Sequence, residues 1–188
     1  MKIAIDIDQT LLECDSILYK IFNKFGSKQD KNKKLKYKDV EEEIISEQTL
    51  LNCISKIHNH NYYKIMEDAS DIIKKWKAEG HEIILLSSRP SYKSLVNTLL
   101  LCVKKFDIKF DKITIGCNNK VLFCLEKKVD VLIDNCLDIC KLCCEKGVNS
   151  IWYNKEEENV WYRKVNNASS WKEIDCKVTE ISKNIRKR

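Results

Sequence analysis

Met1-Lys2-Ile3-Ala4-Ile5-Asp6-Ile7-Asp8-Gln9-Thr10 opens the chain, and its reading decides the fold. Ile3 to Ile7 has the near-continuous apolar character of a short buried strand, and acids stand where that strand ends. In an open parallel sheet, ligands bind beyond the carboxyl ends of the strands, so chemistry is expected at this point. Side chains alternate along an extended chain, which puts Asp6 and Asp8 on the same side. Two carboxylates about 4 Å apart at an effective dielectric near ~20 repel by about 4 kcal/mol. A divalent cation removes that cost, and the pair therefore points to a hard metal such as Mg²⁺ with oxygen ligands. The plainer alternative is a strand end that carries two solvated acids, as turns often do.

Outward from that strand, apolar runs alternate with helical patterns. Glu82–Ser87, Lys112–Gly116 and Val129–Asp134 read as strands, and Ser150–Tyr153 as a further one. Helices are predicted over Ala69–Glu79, ended by Gly80, and over Ser91–Lys105, Asn119–Lys128 and Cys136–Lys146, the last followed by Gly147. A closing helix is predicted over Trp171–Lys183, and Pro90 sits between a strand and a helix, where its fixed φ costs nothing. The pattern predicts an α/β fold, a Rossmann-like parallel sheet with helices on both faces. About sixty residues separate the first strand from Ala69, far more than one crossover needs. Asp15–Phe25 and Val40–His58 have helical patterning with a lysine-rich loop between them, which predicts a small helical cap inserted after strand one. The expected division is a core of residues 1–13 and 67–188 and a cap of residues 14–66.

The other strand ends carry matching chemistry. After the second strand, Ser87-Ser88-Arg89-Pro90 supplies hydroxyls, a cation and a helix start, and helix N-termini favour anions. Read alone, the segment is a turn with an N-cap. After the third strand, Lys120 opens a helix behind Gly116-Cys117-Asn118-Asn119. A lysine there opposes the helix dipole, and a bound anion would relieve the conflict; read alone, it is a surface lysine. After the fourth strand come Asp134-Asn135-Cys136-Leu137-Asp138. Asp134 is expected to project into the same crevice as Asp6, with Asp138 one turn further on, in reach of the metal or serving as an ordinary first-turn acid. Each piece is weak alone, and the four in compatible order are strong together.

This arrangement resembles the haloacid dehalogenase superfamily. Its Asp-x-Asp-x-Thr motif matches Asp6-Ile7-Asp8-Gln9-Thr10, its Ser/Thr motif Ser87, its lysine motif Lys120 and its acidic motif Asp134 with Asp138. Within the superfamily the chain looks most like the small 5′-nucleotidases and 5′(3′)-deoxyribonucleotidases, on the helical insertion, Ser87-x-Arg89 and the late Val165-Asn166 leading to Ser170-Trp171-Lys172-Glu173-Ile174. Two departures stand out: Gln9 replaces the usual glycine, and Asn135 stands where many members have a second acid. The resemblance implies a Mg²⁺-dependent phosphomonoester hydrolase in which Asp6 forms an aspartyl-phosphate and Asp8 is general acid and base. It implies Thr10, Ser87, Ser88, Arg89 and Lys120 as substrate-binding residues and Asp6, Asp8, Asp134 and Asp138 as the metal site. Without it, the residues imply a metal site for a phosphate and no more. The implied partner is a small phosphorylated substrate, a nucleoside or deoxynucleoside monophosphate. Rival readings are a phosphatase of nucleic-acid ends or of other phosphorylated metabolites, and a non-catalytic phosphate- and metal-binding protein.

Composition narrows the class. The chain has 188 residues, enough for one domain with a core and a small insertion, and 44% of them are hydrophobic, which excludes a disordered chain. No apolar run approaches the roughly 20 residues that span a bilayer, and acids stand where a signal peptide would need an apolar stretch; a soluble cytoplasmic protein is expected. Ten cysteines in a chain without an export signal are expected to be reduced. Cys102, Cys124 and Cys140 lie in apolar segments, and Cys136, Cys140, Cys143 and Cys144 are read as helix packing rather than a zinc site. The formal charge of +6 is concentrated in Lys28–Lys38 and in Arg186-Lys187-Arg188. Such runs are usually solvated surface, so nucleic acid is possible as a partner but not favoured. The late aromatic residues Trp152, Tyr153, Trp161, Tyr162 and Trp171 are expected to cover the sheet edge.

Overall fold

A computed structural model describes residues 1–13, 63–88, 101–155 and 165–187. The elements run β1 (Lys2–Asp6), β2 (Leu12–Glu13), β3 (Lys64–Ile65), α1 (Ala69–Ala78), β4 (Glu82–Ser87), a π-helical turn (Leu101–Lys105), β5 (Lys112–Ile115), α2 (Lys120–Glu126), β6 (Val131–Asp134), α3 (Leu137–Glu145), β7 (Asn149–Tyr153), β8 (Asn166–Ala168) and α4 (Trp171–Arg186). Six strands form one sheet in the order β5-β4-β1-β6-β7-β8, and every pairing in it is parallel. The expected α/β architecture is therefore present.

Period-two alternation sorts the strands' apolar residues between two layers. Ile3, Ile5, Ile83, Leu85, Val131 and Ile133 pack with Trp76 of α1 and Trp171, Ile174 and Val178 of α4. Ala4, Ile84, Leu86 and Leu132 pack with Cys124 of α2 and Cys143 of α3 on the other face. Both faces of β1 are thus dry, which is why the strand reads as an unbroken apolar run. Asp6 and Asp134 follow Ala4 and Leu132 by two residues, so their side chains fall toward the layer of α2 and α3.

The chain visits β4 and β5 on one side of β1, then β6, β7 and β8 on the other. The switch point, where such sheets bind ligands, lies at the carboxyl ends of β1 and β6. Gly80 and Gly147 follow α1 and α3 with φ of 80° and 84°, the left-handed conformation that ends a helix. Leu12–Glu13 pairs antiparallel with Lys64–Ile65, a two-stranded ribbon that brackets residues 14–62. The two predicted cap helices, Arg89, Pro90 and residues 91–100 lie outside the described residues.

Three differences separate the structure from the sequence expectations. Residues 101–105, taken as the end of an α-helix, form a π-helical turn. A sixth strand, β8, was not expected, because Asn166-Asn167-Ala168 has no apolar or β-branched run to announce it. Residues Ala69–Glu79 shorten by one at the C-terminus while the closing helix lengthens to Arg186. The eight described cysteines are all free thiols; Cys102, Cys124, Cys140 and Cys143 are buried and Cys136 and Cys176 exposed. No helix among the described residues is long and apolar enough to cross a membrane.

Candidate active site

Lys120 is the hinge of the site. It is only 7% exposed and donates to Asp6 Oδ1 at 2.6 Å and to Asp134 Oδ2 at 2.7 Å. The placement follows from the fold: α2 covers the layer toward which Asp6 and Asp134 project, and Lys120 is its first residue. Gly116 turns the chain into that helix with φ of 71°, and the Asn119 side chain caps it by accepting from the Leu122 N–H at 2.9 Å. The dipole conflict expected at Lys120 is met by these two carboxylates of the protein itself.

The remaining oxygens of both acids are also engaged. Thr10 donates its hydroxyl to Asp6 Oδ2 at 3.0 Å, and the Cys136 N–H donates to Asp134 Oδ1 at 2.8 Å. Between β1 and Thr10 the chain turns sharply, with the Leu11 and Leu12 N–H groups both donating to the Ile7 carbonyl and the Gln9 N–H to that of Leu12. Gln9 has φ of 61° there. Its backbone adopts the left-handed conformation in which glycine is the unstrained residue, so the departure noted in the sequence falls on a strained backbone position beside Asp6.

Ser87, 1% exposed at the end of β4, donates to Asp8 Oδ2 at 3.5 Å, a long bond. Ser88 donates to the Cys117 carbonyl at 3.2 Å, while the Cys117 N–H donates to that of Ser87 at 3.0 Å, tying the β4 and β5 loop starts together. Thr10 is fully buried, with its hydroxyl turned to Asp6. Asp138 is 86% exposed on the first turn of α3 and pairs with Lys141 at 3.6 Å, which is the position of a first-turn acid outside the buried cluster.

No family model matches the chain, and no curated protein matches it in sequence. Solved structures match it in fold. A candidate β-phosphoglucomutase of Thermotoga maritima aligns with a TM-score of 0.65 and 13% identity, covering 95% of this chain and 98% of that one. A predicted phosphatase of Clostridium acetobutylicum gives 0.63 and 16%, covering 95% and 98%. A candidate hydrolase of the haloacid dehalogenase superfamily from Bacillus subtilis, bound to magnesium, gives 0.63 and 11%, covering 95% and 98%. This chain has the haloacid dehalogenase fold.

In that fold Asp6 stands at the end of the central strand, and its electrostatics are unusual. Burial, then the neighbouring Asp134, push its carboxyl up to about 7 against the pull of Lys120. Burial alone would lower the Lys120 ammonium, but Asp6 and Asp134 together hold it above the ordinary lysine range. Asp6 and Asp134 set two carboxylates against the one buried ammonium of Lys120. Among the described residues no three His, Cys, Asp or Glu side chains form a ready metal cage. Mg²⁺ does not require one, because it keeps several waters and usually takes one or two carboxylates plus substrate phosphate oxygens. The carboxylate oxygens of Asp6 and Asp134 fit such an ion in donor chemistry.

Sequence reading missed two contributors. The Cys136 N–H was hidden because main-chain donors have no residue signature, although an Asp two residues before a helix start is a turn signal. Trp171, read as a sheet cover and as part of the late family-like stretch but given no role at the site, donates its indole N–H to the Thr10 carbonyl at 3.1 Å. No local pattern reveals a contact across 161 residues.

Proposed function

We propose that this chain is a Mg²⁺-dependent phosphomonoester hydrolase acting on small phosphorylated substrates, nucleoside or deoxynucleoside monophosphates first among them. The observation that carries the reading is the buried Asp6–Lys120–Asp134 cluster at the sheet's switch point, with Ser87 and Asp8 beside it. A buried cluster in which two carboxylates share one ammonium suits a phosphate brought in with a divalent cation. Likeness in fold to a predicted phosphatase and to a magnesium-bound hydrolase is consistent with it. The nucleotide part rests on the sequence resemblance carried by Ser87-x-Arg89 and Ser170-Trp171.

In this reading Asp6 attacks phosphorus, the ester oxygen leaves, and an aspartyl-phosphate forms on Asp6. Asp8 gives its proton to the leaving oxygen and then takes one from the water that hydrolyses the intermediate. Lys120 and Ser87 face the phosphoryl oxygens and stabilise their developing charge. Asp6, Asp134 and Asp8 are the residues that would hold Mg²⁺, and Asp138 would act there only through water. When bound, the ion neutralises negative charge on the carboxylates and the phosphoryl group. Phosphate release from a panel of nucleoside monophosphates, sugar phosphates and 5′-phosphorylated oligonucleotides, each with Mg²⁺ and with chelator, tests the proposal. Release from nucleoside monophosphates that chelator abolishes is expected. Release from none of the panel contradicts the hydrolase reading, and release from the others alone contradicts the nucleotide part.

A further inference from the structure

We propose that Trp171 is a positioning residue for the Asp6 nucleophile and acts through Thr10, an inference that rests on the reading of Asp6 just given. The Trp171 indole N–H donates to the Thr10 carbonyl at 3.1 Å, and the Thr10 hydroxyl donates to Asp6 Oδ2 at 3.0 Å. Trp171 is 1% exposed and Thr10 fully buried, so no water replaces either bond. One residue is thus gripped from behind by the last helix while it holds the reacting carboxylate in front.

The turn needs that grip. Its own main-chain bonds use the carbonyls of Ile7 and Leu12, and the Thr10 carbonyl is met by the indole. A donor-only group such as indole N–H fixes one direction of approach. Gln9, one residue earlier, sits in the left-handed region at φ of 61°, and strained backbone persists only where its surroundings over-determine it. Trp171 is itself locked. Its ring packs against Trp76 at 5.9 Å between centroids, and the Trp76 indole donates to Asp175 of α4 at 2.8 Å. Ser170 caps α4 by accepting from the Glu173 N–H at 3.2 Å, and Glu173 in return accepts from the Ser169 N–H at 2.8 Å. The first turn of α4 therefore cannot drift, and through Trp171 neither can the turn that carries Thr10.

A purely packing role for Trp171 makes a different forecast from a positioning role. Trp171→Phe keeps an aromatic ring and loses the N–H. Benzothienyl-alanine incorporated at position 171 keeps the whole shape and loses only the donor. With p-nitrophenyl phosphate and Mg²⁺, both variants are expected to lose about tenfold in kcat at unchanged KM, since a small misplacement of a nucleophile costs rate rather than binding. Thr10→Val is expected to lower kcat by itself, and adding Trp171→Phe to it is expected to cost little more, the non-additivity of groups acting in series. A kcat within twofold of wild type for the benzothienyl-alanine protein overturns the proposal, whatever happens to its melting temperature. Should the wild type release no phosphate, the hydrolase reading fails separately. Amide exchange then decides: faster exchange at Leu11 and Leu12 with β1 unchanged upholds the link from Trp171 to the turn, and unchanged exchange overturns it.

Discussion

A lysine buried between two carboxylates cannot be removed without consequence. Lys120 is nearly inaccessible, and its loss strands Asp6 and Asp134 without a cation. Breaking a buried ion pair from one side typically costs about 3–5 kcal/mol. Lys120→Met is therefore expected to lower unfolding free energy by that order in urea titrations without metal at pH 8, and a loss under about 1 kcal/mol would contradict the burial described. Asp6 adds a pH signature. Its carboxyl is raised from an ordinary 3.8 to about 7, first by burial and then by Asp134. Between those values the folded chain holds a proton that the unfolded chain has released, so this contribution is whole below about 4 and is lost as pH rises through about 7. In metal-free protein the stability of wild type relative to Asp6→Asn is expected to fall from pH 5 to pH 8, and a relative rise would reverse the sign argued here. At this scale the sequence was readable in part. Asp6, Asp8 and Asp134 announced themselves by standing at strand ends and Lys120 by opening a helix against its dipole, whereas the pairing of Lys120 with Asp6 and Asp134 shows only once α2 aims it inward. Asp138, four residues beyond Asp134, had the right spacing and faces solvent instead, because spacing along a helix start does not say which side of the turn is buried.

Strands β1, β4 and β6 were legible because both of their faces are buried, which forces apolar residues at nearly every position. The edge strand β8 lacks that pressure, and its Asn-Asn-Ala sequence gave no sign of pairing with β7. The cysteines were read by element rather than by motif, and the packing bears this out for Cys124, Cys140 and Cys143, whereas Cys136, the exposed N-cap residue of α3, does not pack in the core. Cys124 of α2 and Cys143 of α3 lie in the apolar core, and Cys144 pairs with the Ser150 hydroxyl at 2.9 Å. Burial, with Asp134 nearby, pushes the Cys140 thiol up, so its reactive thiolate is scarce. Thiol labelling of the native protein followed by peptide mapping is expected to modify Cys136 and Cys176 quickly. Cys102, Cys124, Cys140 and Cys143 are expected to react only in denaturant. Rapid native labelling of Cys124 or Cys143 would mean that α2 and α3 open readily from the sheet.

Across the whole molecule, strand order does the work of bringing distant acids together. β1 and β6 are neighbours although about 125 residues separate them, and their tips carry Asp6 and Asp134 to one ammonium. That convergence was expected from the topology of parallel sheets, since the switch point falls between strands entered from opposite sides. The long interval between β1 and α1 is plain in the sequence, and within it Leu12–Glu13 pairs with Lys64–Ile65. Substrate preference was not legible, because recognition depends on side chains that tertiary packing brings together. The central claim is that Asp6 is the nucleophile of a phosphate-ester hydrolase. Mg²⁺-dependent phosphate release from p-nitrophenyl phosphate by wild type and by Asp6→Asn, with both shown to be folded by circular dichroism, tests it most directly. The prediction is release by wild type and none above background by the variant. Equal release by the two proteins would contradict it.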